Sequence, residues 1–208
     1  MRRHHFEISD REDMIRILNS CRIGRLATLD ADGYPYITPV NFVFYQGCVY
    51  FHCALQGEKL DNLARDPRVG FEADHPFAYI EVGFNPERNS CRAHQFFQSV
   101  VIRGRARLLP DGDLKTAALN ALLAKHENNE DFLPVTEDSP GYRTCHVVEV
   151  TPESMTGKKD LAQNKPQNGR REIAGRLVRR GGPGDLETVR AMGYDPDSLV
   201  SLQPGGRE

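Results

Sequence analysis

The sequence predicts a mainly β (α+β) fold, in which short antiparallel strands form a small barrel with a few peripheral helices. Apolar residues recur at every second position in several segments, most clearly in SVVIRGRARLL (99–109), which is the period of a strand with one buried face. Loop signals at Asp30–Gly33 and Gln46–Gly47 separate such runs, as hairpins require. About seven strands and few helical patterns favour an antiparallel barrel over a doubly wound sheet.

The individual elements follow from local patterns. Helices are predicted over 10–20, 57–65 and 113–127, with a short helical pattern at 185–194. Strands are predicted over 23–29, 34–44, 48–53, 68–74, 77–83, 99–109 and 146–150. The pattern Ser9-Asp-Arg-Glu12 is typical of a capping box that opens the first helix. Pro35 and Pro39 confine the strand 34–44 to an edge or a bulge, and Gly104 indicates a tight bend in 99–109.

The chain changes character beyond Thr156, where it becomes basic and rich in Gly and Pro, with sparse apolar residues. We therefore predict a barrel domain over 1–157 and a C-terminal extension over 158–208 without a core of its own. Ile173 and Leu177, four residues apart, favour an extension that docks on the barrel or on a partner subunit. A mobile basic tail is the alternative, and it stays open.

The composition excludes several classes of protein. The 208 residues are 39% hydrophobic and 27% charged, with a net charge of −2, and no apolar stretch is long enough to cross a bilayer. The N-terminus lacks the apolar segment of a secretory signal, and five cysteines without a CxxC pair argue against a disulfide framework or a structural zinc site. We expect a reducing cytoplasm and no membrane partner. Nucleic acid is not an expected partner either, because no aromatic residues interleave with Arg103, Arg105 and Arg107.

Common catalytic motifs are missing from the sequence. It contains no GxGxxG that opens a helix after a strand, no GxxxxGK[ST], no HExxH and no GxSxG. Histidines and cysteines are scattered, so we predict no metal site. If the protein is an enzyme, an organic cofactor is the economical assumption.

A candidate phosphate site lies in the stretch VYFHCALQGEKLDNLARDPRVGFEAD (49–74). A strand ends at His52-Cys53, Gly57 permits close approach of a ligand, and Lys59 falls in the first turn of the following helix. A helix N-terminus offers unpaired N–H groups and the positive end of the helix dipole, which together suit a phosphate. The simpler alternative is an ordinary strand–turn–helix with a solvated lysine. Cys53 is expected to be a small buried group and not a nucleophile.

Four segments, in order, resemble the FMN-binding split-barrel family of pyridoxamine 5′-phosphate oxidase, nearest its branch of nitroimidazole-resistance proteins. They are CRIGRLATLDADGYPYITPVNF (21–42), YFHCALQGEKLDNLARDPRVGFE (50–72), FFQSVVIRGRARLL (96–109) and EVTPESMTGKK (149–159). The resemblance implies a six-stranded antiparallel split barrel that forms a homodimer, with FMN bound at the subunit interface. Glu58 departs from the oxidases, which often carry a basic residue at this position, and their arginine-rich C-terminal substrate motif has no clear counterpart here.

The resemblance also implies which residues hold the cofactor. The strand Thr38-Pro39-Val40-Asn41 would line the isoalloxazine ring. His52-Cys53-Ala54 and Lys59 would hold the ribityl phosphate, and Ser99-Val100 would come from the partner subunit. In the nitroimidazole-resistance branch the histidine at this place lies at the active site, so His52 is the candidate catalytic residue.

Residues 158–177 resemble the C-terminal stretch of split-barrel proteins described as FMN-binding negative transcriptional regulators. Because Gln163 and Asn164 follow the final barrel strand, we expect them to be the extension's residues nearest the cofactor.

Two functions therefore remain open. The first is an FMN-dependent oxidoreductase that acts on a small flat acceptor, such as a nitro- or quinone-like compound, with a nicotinamide as candidate electron donor. The second is a non-catalytic regulator that binds flavin or haem, in which His52, His94 or His146 would be the axial ligand.

Overall fold

A computed structural model describes residues 4–85, 87–127 and 132–200. The protein is mainly β with helices at the periphery, as predicted. Its described residues form one sheet of eight strands, against about seven that the sequence patterns predict and six that the resemblance implies. The strands are β1 (Glu7–Ile8), β2 (Ile23–Leu29), β3 (Pro35–Asn41), β4 (Val43–Tyr45), β5 (Cys48–Cys53), β6 (Arg68–Ile80), β7 (His94–Leu108) and β8 (His146–Asp160).

The order of strands in the sheet is β3-β2-β6-β7-β8-β5-β4, and β1 pairs with β8. The pairs β2–β3, β2–β6, β4–β5 and β5–β8 are antiparallel. Strand β3 is an edge strand of this sheet, as Pro35 and Pro39 predict, because proline cannot donate to a second ladder. Register places Leu26 opposite Thr38 and Val147 opposite His52.

Several strand boundaries differ from those that the sequence predicts. The predicted strand 34–44 divides at the fully buried Phe42 into β3 and β4, whereas the two strands predicted over 68–83 form the single β6. Strands β7 and β8 each have 15 residues and extend beyond the predicted runs 99–109 and 146–150, into residues where the buried–exposed alternation is weaker. Gly104 is required by close approach: a Cβ there would lie 2.3 Å from the Thr151 carbonyl oxygen.

Helices α1 (Arg11–Ser20), α2 (Glu58–Arg65) and α3 (Asp113–His126) match their predictions to within a residue or two. The N-cap of α1 is Asp10 and not Ser9, since the Asp10 carboxylate accepts from the Glu12 amide. Helix α4 (Gln167–Arg180) was not predicted. The predicted pattern at 185–194 forms the shorter α5 (Asp185–Ala191), and α6 (Asp197–Val200) follows it.

The chain divides into two compact units. The main unit comprises residues 9–74 and 99–157, and the second unit comprises 1–8, 75–98 and 158–208. In the second unit, Leu161, Ala174, Leu177 and Val189 pack with Phe96 and Ile80 in one buried cluster. Residues after 158 therefore share a buried cluster with residues of β6 and β7. The predicted domain boundary, the absence of a separate core in the extension and its docking stay predictions. None of the described helices has the length and apolar character that a bilayer-spanning helix needs.

Candidate functional site

The corner between β5 and α2 has the geometry of an anion site. Strand β5 ends at Cys53, and Gly57, with φ of 143°, is the N-cap of α2 and supplies no side-chain cap. A residue with a side chain is strained at such a φ, which explains the glycine. The Leu60 amide donates to the Gly57 carbonyl, so without a side-chain cap the N–H groups of Glu58 and Lys59 are the first-turn donors available to a ligand, together with the positive end of the helix dipole.

Helix α2 is held in place by a buried polar contact that sequence reasoning missed. Asn62 is 1% exposed, and its amide nitrogen donates to Thr28 Oγ1 of β2 over 3.0 Å. Arg65 donates to Asn62 Oδ1 over 3.2 Å, so the amide is used at both ends. An asparagine among the apolar positions of an amphipathic helix was the signal available in the sequence.

Lys59 lies near Cys53, as the sequence predicts for this corner. Burial raises the pKa of the Cys53 thiol, and the nearby Lys59 ammonium offsets only part of that rise. Cys53 is 8% exposed, so it is a protonated, buried thiol at neutral pH, as expected for a packing residue. Among the described residues, no carboxylate forms an ion pair with Lys59.

Strand β3 contributes one unsatisfied polar atom. Thr38 Oγ1 is shielded from water and has no hydrogen-bond partner among the residues that the structure describes. Val40 is buried, whereas Pro39 and Asn41 are exposed. A buried hydroxyl without a partner costs free energy unless a ligand meets it, and Thr38 lies on the strand that the resemblance assigns to the isoalloxazine ring.

A cavity of about 520 Å³ joins two of the predicted site residues within the main unit. Asn41, at the end of β3, and the exposed His52 of β5 line part of its wall. Most of the remaining wall is apolar and comes from α3 and the segment before β8: Leu119, Leu122, Leu123, Val135, Tyr142 and Cys145. His126, Glu127, Ser139 and Gly141 complete it. No sequence pattern predicted a functional residue on α3.

The profile of the pyridoxamine 5′-phosphate oxidase family matches residues 10–159. The chain belongs to this family. No curated protein matches the sequence significantly.

Solved structures show the same fold at low sequence identity. A proposed 5-nitroimidazole antibiotic resistance protein from Bacteroides thetaiotaomicron is 22% identical, with a TM-score of 0.62 over 74% of this chain and 86% of its own. The flavocytochrome Anf3 from Azotobacter vinelandii is 20% identical, with a TM-score of 0.65 over 77% and 72% of the two chains. A FAD and haem binding protein from Mycobacterium smegmatis is 15% identical, with a TM-score of 0.63 over 74% and 73%.

The other predicted family residues lie on β7 and after β8. Val100 is fully buried and Ser99 is part-buried, so a contribution of Val100 to a ligand would have to come from its backbone. In the second unit, the Gln163 amide donates to the Lys159 and His5 carbonyl groups and accepts from the Leu161 amide. Asn164 is exposed and lines a second cavity, of about 400 Å³, within that unit. The predicted roles of these four residues stay predictions.

The candidate haem ligands differ in environment. His94 Nδ1 lies 2.7 Å from the Arg92 carbonyl oxygen, and His94 Nε2 lies 3.8 Å from an Asp160 carboxylate oxygen. His146 lies opposite Cys53 on β8, while His52 lies on the exposed face of β5. Within the described ranges, no three His, Cys, Asp or Glu side chains cluster as a metal site would require.

Proposed function

We propose that this protein binds FMN and is a flavin-dependent oxidoreductase acting on a small flat acceptor such as a nitro- or quinone-like compound. The observation that carries the proposal is the cavity that Asn41 and His52 line. The uncapped start of α2 follows His52 closely in the sequence. Membership of the pyridoxamine 5′-phosphate oxidase family supports it. Two structural neighbours that share the fold also support it, since one is named a flavocytochrome and the other a FAD and haem binding protein.

The residues present fit a flavin mononucleotide. Lys59 and the first-turn N–H groups of α2 would hold the phosphate, and Thr38 Oγ1 would hydrogen-bond an edge of the ring system. The flavin, when bound, supplies the redox chemistry, and the protein contributes orientation and exclusion of water. We assign His52 to the reacting face because its side chain projects from β5 into the cavity wall.

We further propose that the protein is a homodimer in a reducing cytoplasm, with each flavin site shared between subunits. Edge strand β3 and its neighbour β2 expose apolar side chains: Ile23 is 51%, Ile37 is 60% and Tyr34, just before β3, is 71% exposed. Exposed apolar side chains concentrated along one edge are typical of an interaction surface. The molar mass in solution at micromolar concentration tests this, and a monomer would contradict it.

The decisive experiment for the cofactor is an FMN titration with two matched variants. Lys59→Ala should weaken FMN binding by about 1.5–3 kcal/mol, the range for a hydrogen bond to a charged group. The control is Arg11→Ala, which also removes an exposed basic residue from the first turn of a helix but lies in α1, away from the corner. Equal affinity of wild type and Lys59→Ala would overturn the phosphate assignment, and equal weakening in both variants would reduce it to a long-range charge effect.

The absorption spectrum of the purified protein separates this proposal from the alternative, a non-catalytic regulator that binds flavin or haem. Flavin bands together with reduction of a nitro- or quinone-like acceptor support the oxidoreductase. A Soret band would favour a haem protein, with His52, His94 or His146 as the axial ligand to test by substitution.

A further inference from the structure

The second unit has a cavity of its own, and its wall is positively charged. The cavity has a volume of about 400 Å³, within the range of small-molecule sites, and a largely polar surface. Arg92, Lys158 and Lys165 each bring a positive charge to the wall. Asp160 brings a negative one, so that, not counting the His94 ring, three cations and one carboxylate leave a net charge of +2. A wall of this charge favours a small ligand with two negative charges.

The ammonium of Lys158, on β8, lies beside two aromatic rings of the same wall. Its Nζ is 5.8 Å from the centre of the Phe6 ring and 5.5 Å from the centre of the Phe97 ring on β7. The faces of both rings attract the cation and limit its movement. Within the part of the chain that the structure describes, neither Lys158 nor Lys165 forms an ion pair. Their N–H groups are therefore available to an anion in the cavity.

The turn after β8 fixes another part of the wall. Ala162 is 1% exposed and has a φ of 58°, in the left-handed region that residues with a side chain rarely adopt. Its amide donates to Asp160 Oδ1 over 3.3 Å, and its carbonyl accepts from the Lys165 amide over 2.9 Å. Strained residues of this kind persist where the surroundings hold them, and they cluster at ligand sites. The backbone that carries Lys165 is therefore held in one conformation.

The carboxylates near the cavity do not neutralise its lysines. Asp160 is directed to its own neighbours, since one of its oxygens accepts from the Ala162 amide and the other lies 3.8 Å from His94 Nε2. Arg92 pairs with Glu87 over 3.2 Å, but both side chains are more than half exposed. An exposed pair of this kind is weak, so Arg92 can exchange it for a ligand.

We propose that this cavity binds a phosphate monoester that carries an aromatic ring, at a site separate from the flavin site of the main unit. The phosphate contacts Lys158 and Lys165, and the ring stacks beside Phe6 or Phe97. A phosphate monoester brings two negative charges and three acceptor oxygens in one group, which matches the net charge of the wall better than a single carboxylate does. This goes beyond the proposed function, because it gives the second unit a ligand of its own.

The test compares three probes on the full-length protein, with and without one equivalent of FMN, by calorimetry at about pH 8 and about 0.15 M salt. Phenyl phosphate carries the ring and two charges at this pH, phenyl sulfate carries the ring and one charge, and inorganic phosphate lacks the ring. Phenyl phosphate should bind about fivefold more tightly than phenyl sulfate, the ratio for one further charge about 4 Å from a cation in water. Inorganic phosphate should bind about two- to tenfold more weakly than phenyl phosphate, because it loses the aromatic contact.

Charge-neutralising variants assign the binding to the cavity. Lys158→Gln and Lys165→Gln should each weaken phenyl phosphate about tenfold or more, the range for a hydrogen bond to a charged group. The matched control is Arg171→Gln, which removes an exposed positive charge of α4 in the same unit, outside the cavity wall, and should leave the affinity unchanged. Lys158→Arg keeps the charge and should retain most of the binding, which separates loss of charge from a folding defect.

Several results would overturn the proposal. These are no binding of phenyl phosphate at millimolar concentration, equal binding of the three probes, and equal weakening in Arg171→Gln, which would reduce the effect to overall charge. FMN supplies the remaining one, since it is itself an aromatic phosphate monoester. If one equivalent of FMN displaces phenyl phosphate, or if Lys158→Gln weakens FMN binding, the cavity holds the flavin, which the expectation for Asn164 would favour.

The corner at Lys59 separates this proposal from the proposed function. Lys59→Ala should weaken FMN and leave phenyl phosphate unchanged, whereas Lys158→Gln should do the reverse. Binding of phenyl phosphate by a protein that takes up no flavin would contradict the proposed function and leave the site in the second unit standing.

Discussion

Helices α3 and α4 each contain 14 residues and end in a basic side chain, but the two ends are stabilised differently. At the end of α4, Gly181 adopts the left-handed conformation, and Arg180 bonds to both carboxylate oxygens of Asp185, to Glu81 and to the Tyr79 carbonyl. At the end of α3, His126 makes one hydrogen bond through its ring, and its other ring nitrogen has no described partner.

This difference separates a structural basic residue from a candidate binding residue. Arg180 makes four hydrogen bonds to protein acceptors, so the side chain stabilises the second unit and has little left to offer a ligand. His126 lines the cavity of the main unit, and its Nδ1 has no hydrogen-bond partner among the described residues. We therefore expect substitutions at the α4 end to affect folding, and substitutions at the α3 end to affect binding.

The largest effect is expected from Asp185→Ala. Asp185 is 0% exposed and accepts from Arg180 and from the Gly182 amide. Its removal leaves a part-buried guanidinium without its main partner. Breaking a buried pair costs about 3–5 kcal/mol, and we expect about 2–4 kcal/mol here because Arg180 keeps some solvent contact. Urea unfolding measures the loss.

Glu172→Ala is the matched control for this prediction. Glu172 also pairs with an arginine of α4, Arg176, but its side chain is exposed. An exposed pair four residues apart in a helix contributes about 0.3–0.5 kcal/mol. Similar losses in the two variants would show that burial of the Asp185 carboxylate does not matter, and would remove the contrast between the helix ends.

The same carboxylate predicts a pH dependence. Burial alone would raise the pKa of Asp185, but the Arg180 hydrogen bonds and the Gly182 N–H lower it to below its ordinary value. A depressed folded pKa adds stability above the unfolded value, about 3.9, and this stability is lost as the pH falls through the folded pKa. The difference in unfolding free energy between wild type and Asp185→Ala should therefore narrow below about pH 4. A difference that widens on acidification would contradict the assignment.

Local patterns predicted most of the main unit but little of the second. Strand β2 and helix α1 follow from regular periodicity, a capping signal and a turn, all of which act over a few residues. Helix α4 carries six polar or glycine residues in its first half, QNGRREI, and a second glycine within its second half, so its apolar periodicity is weak and its glycines lower the helix propensity. Tertiary burial of Ile173, Ala174 and Leu177 overrides that propensity, and a sequence pattern cannot show burial supplied by residues about 90 positions away.

The candidate site likewise has one part that local sequence patterns predict and one part that they do not. The corner at Gly57 and Lys59 is local, so its glycine, its strand end and its helix start are visible in one stretch of sequence. The cavity brings His52 and Asn41 together with α3 residues that follow them by about 70 positions. His126 reaches the cavity wall through tertiary packing, and its ring contacts the Phe42 backbone, so no periodicity or motif marks it.

A smaller effect on stability is expected from His126→Leu. The variant loses the bond from Nε2 to the Phe42 carbonyl but also removes the unsatisfied Nδ1, and leucine suits the neighbouring apolar wall. These contributions partly cancel, so the unfolding free energy should change by less than about 1 kcal/mol. Chemical denaturation of His126→Leu and Asp185→Ala under the same conditions compares the two losses of unfolding free energy. A loss above about 2 kcal/mol in His126→Leu would make His126 a structural residue like Arg180.

The smallest effect concerns Lys125, the neighbour of His126 at the end of α3. Its ammonium lies 3.6 Å from the centre of the Phe42 ring and donates to the Leu18 carbonyl, while burial lowers its pKa to about 8. Since the unfolded value is about 10.4, the unfolded chain binds more protons between these two pH values, and the stability of the wild type should rise with pH there.

Lys125→Met removes this titration and keeps most of the side-chain length. The rise of wild type relative to the variant, measured by urea unfolding from about pH 7.5 to about pH 10, should stay below about 1 kcal/mol, because solvent screens a part-buried ammonium. The nearby thiol of Cys21, whose own pKa is raised mainly by burial, is present in both proteins, so much of its titration cancels in the difference. A wild type that loses stability relative to the variant over this range would show that the contact with Phe42 favours the charged form more strongly than burial opposes it.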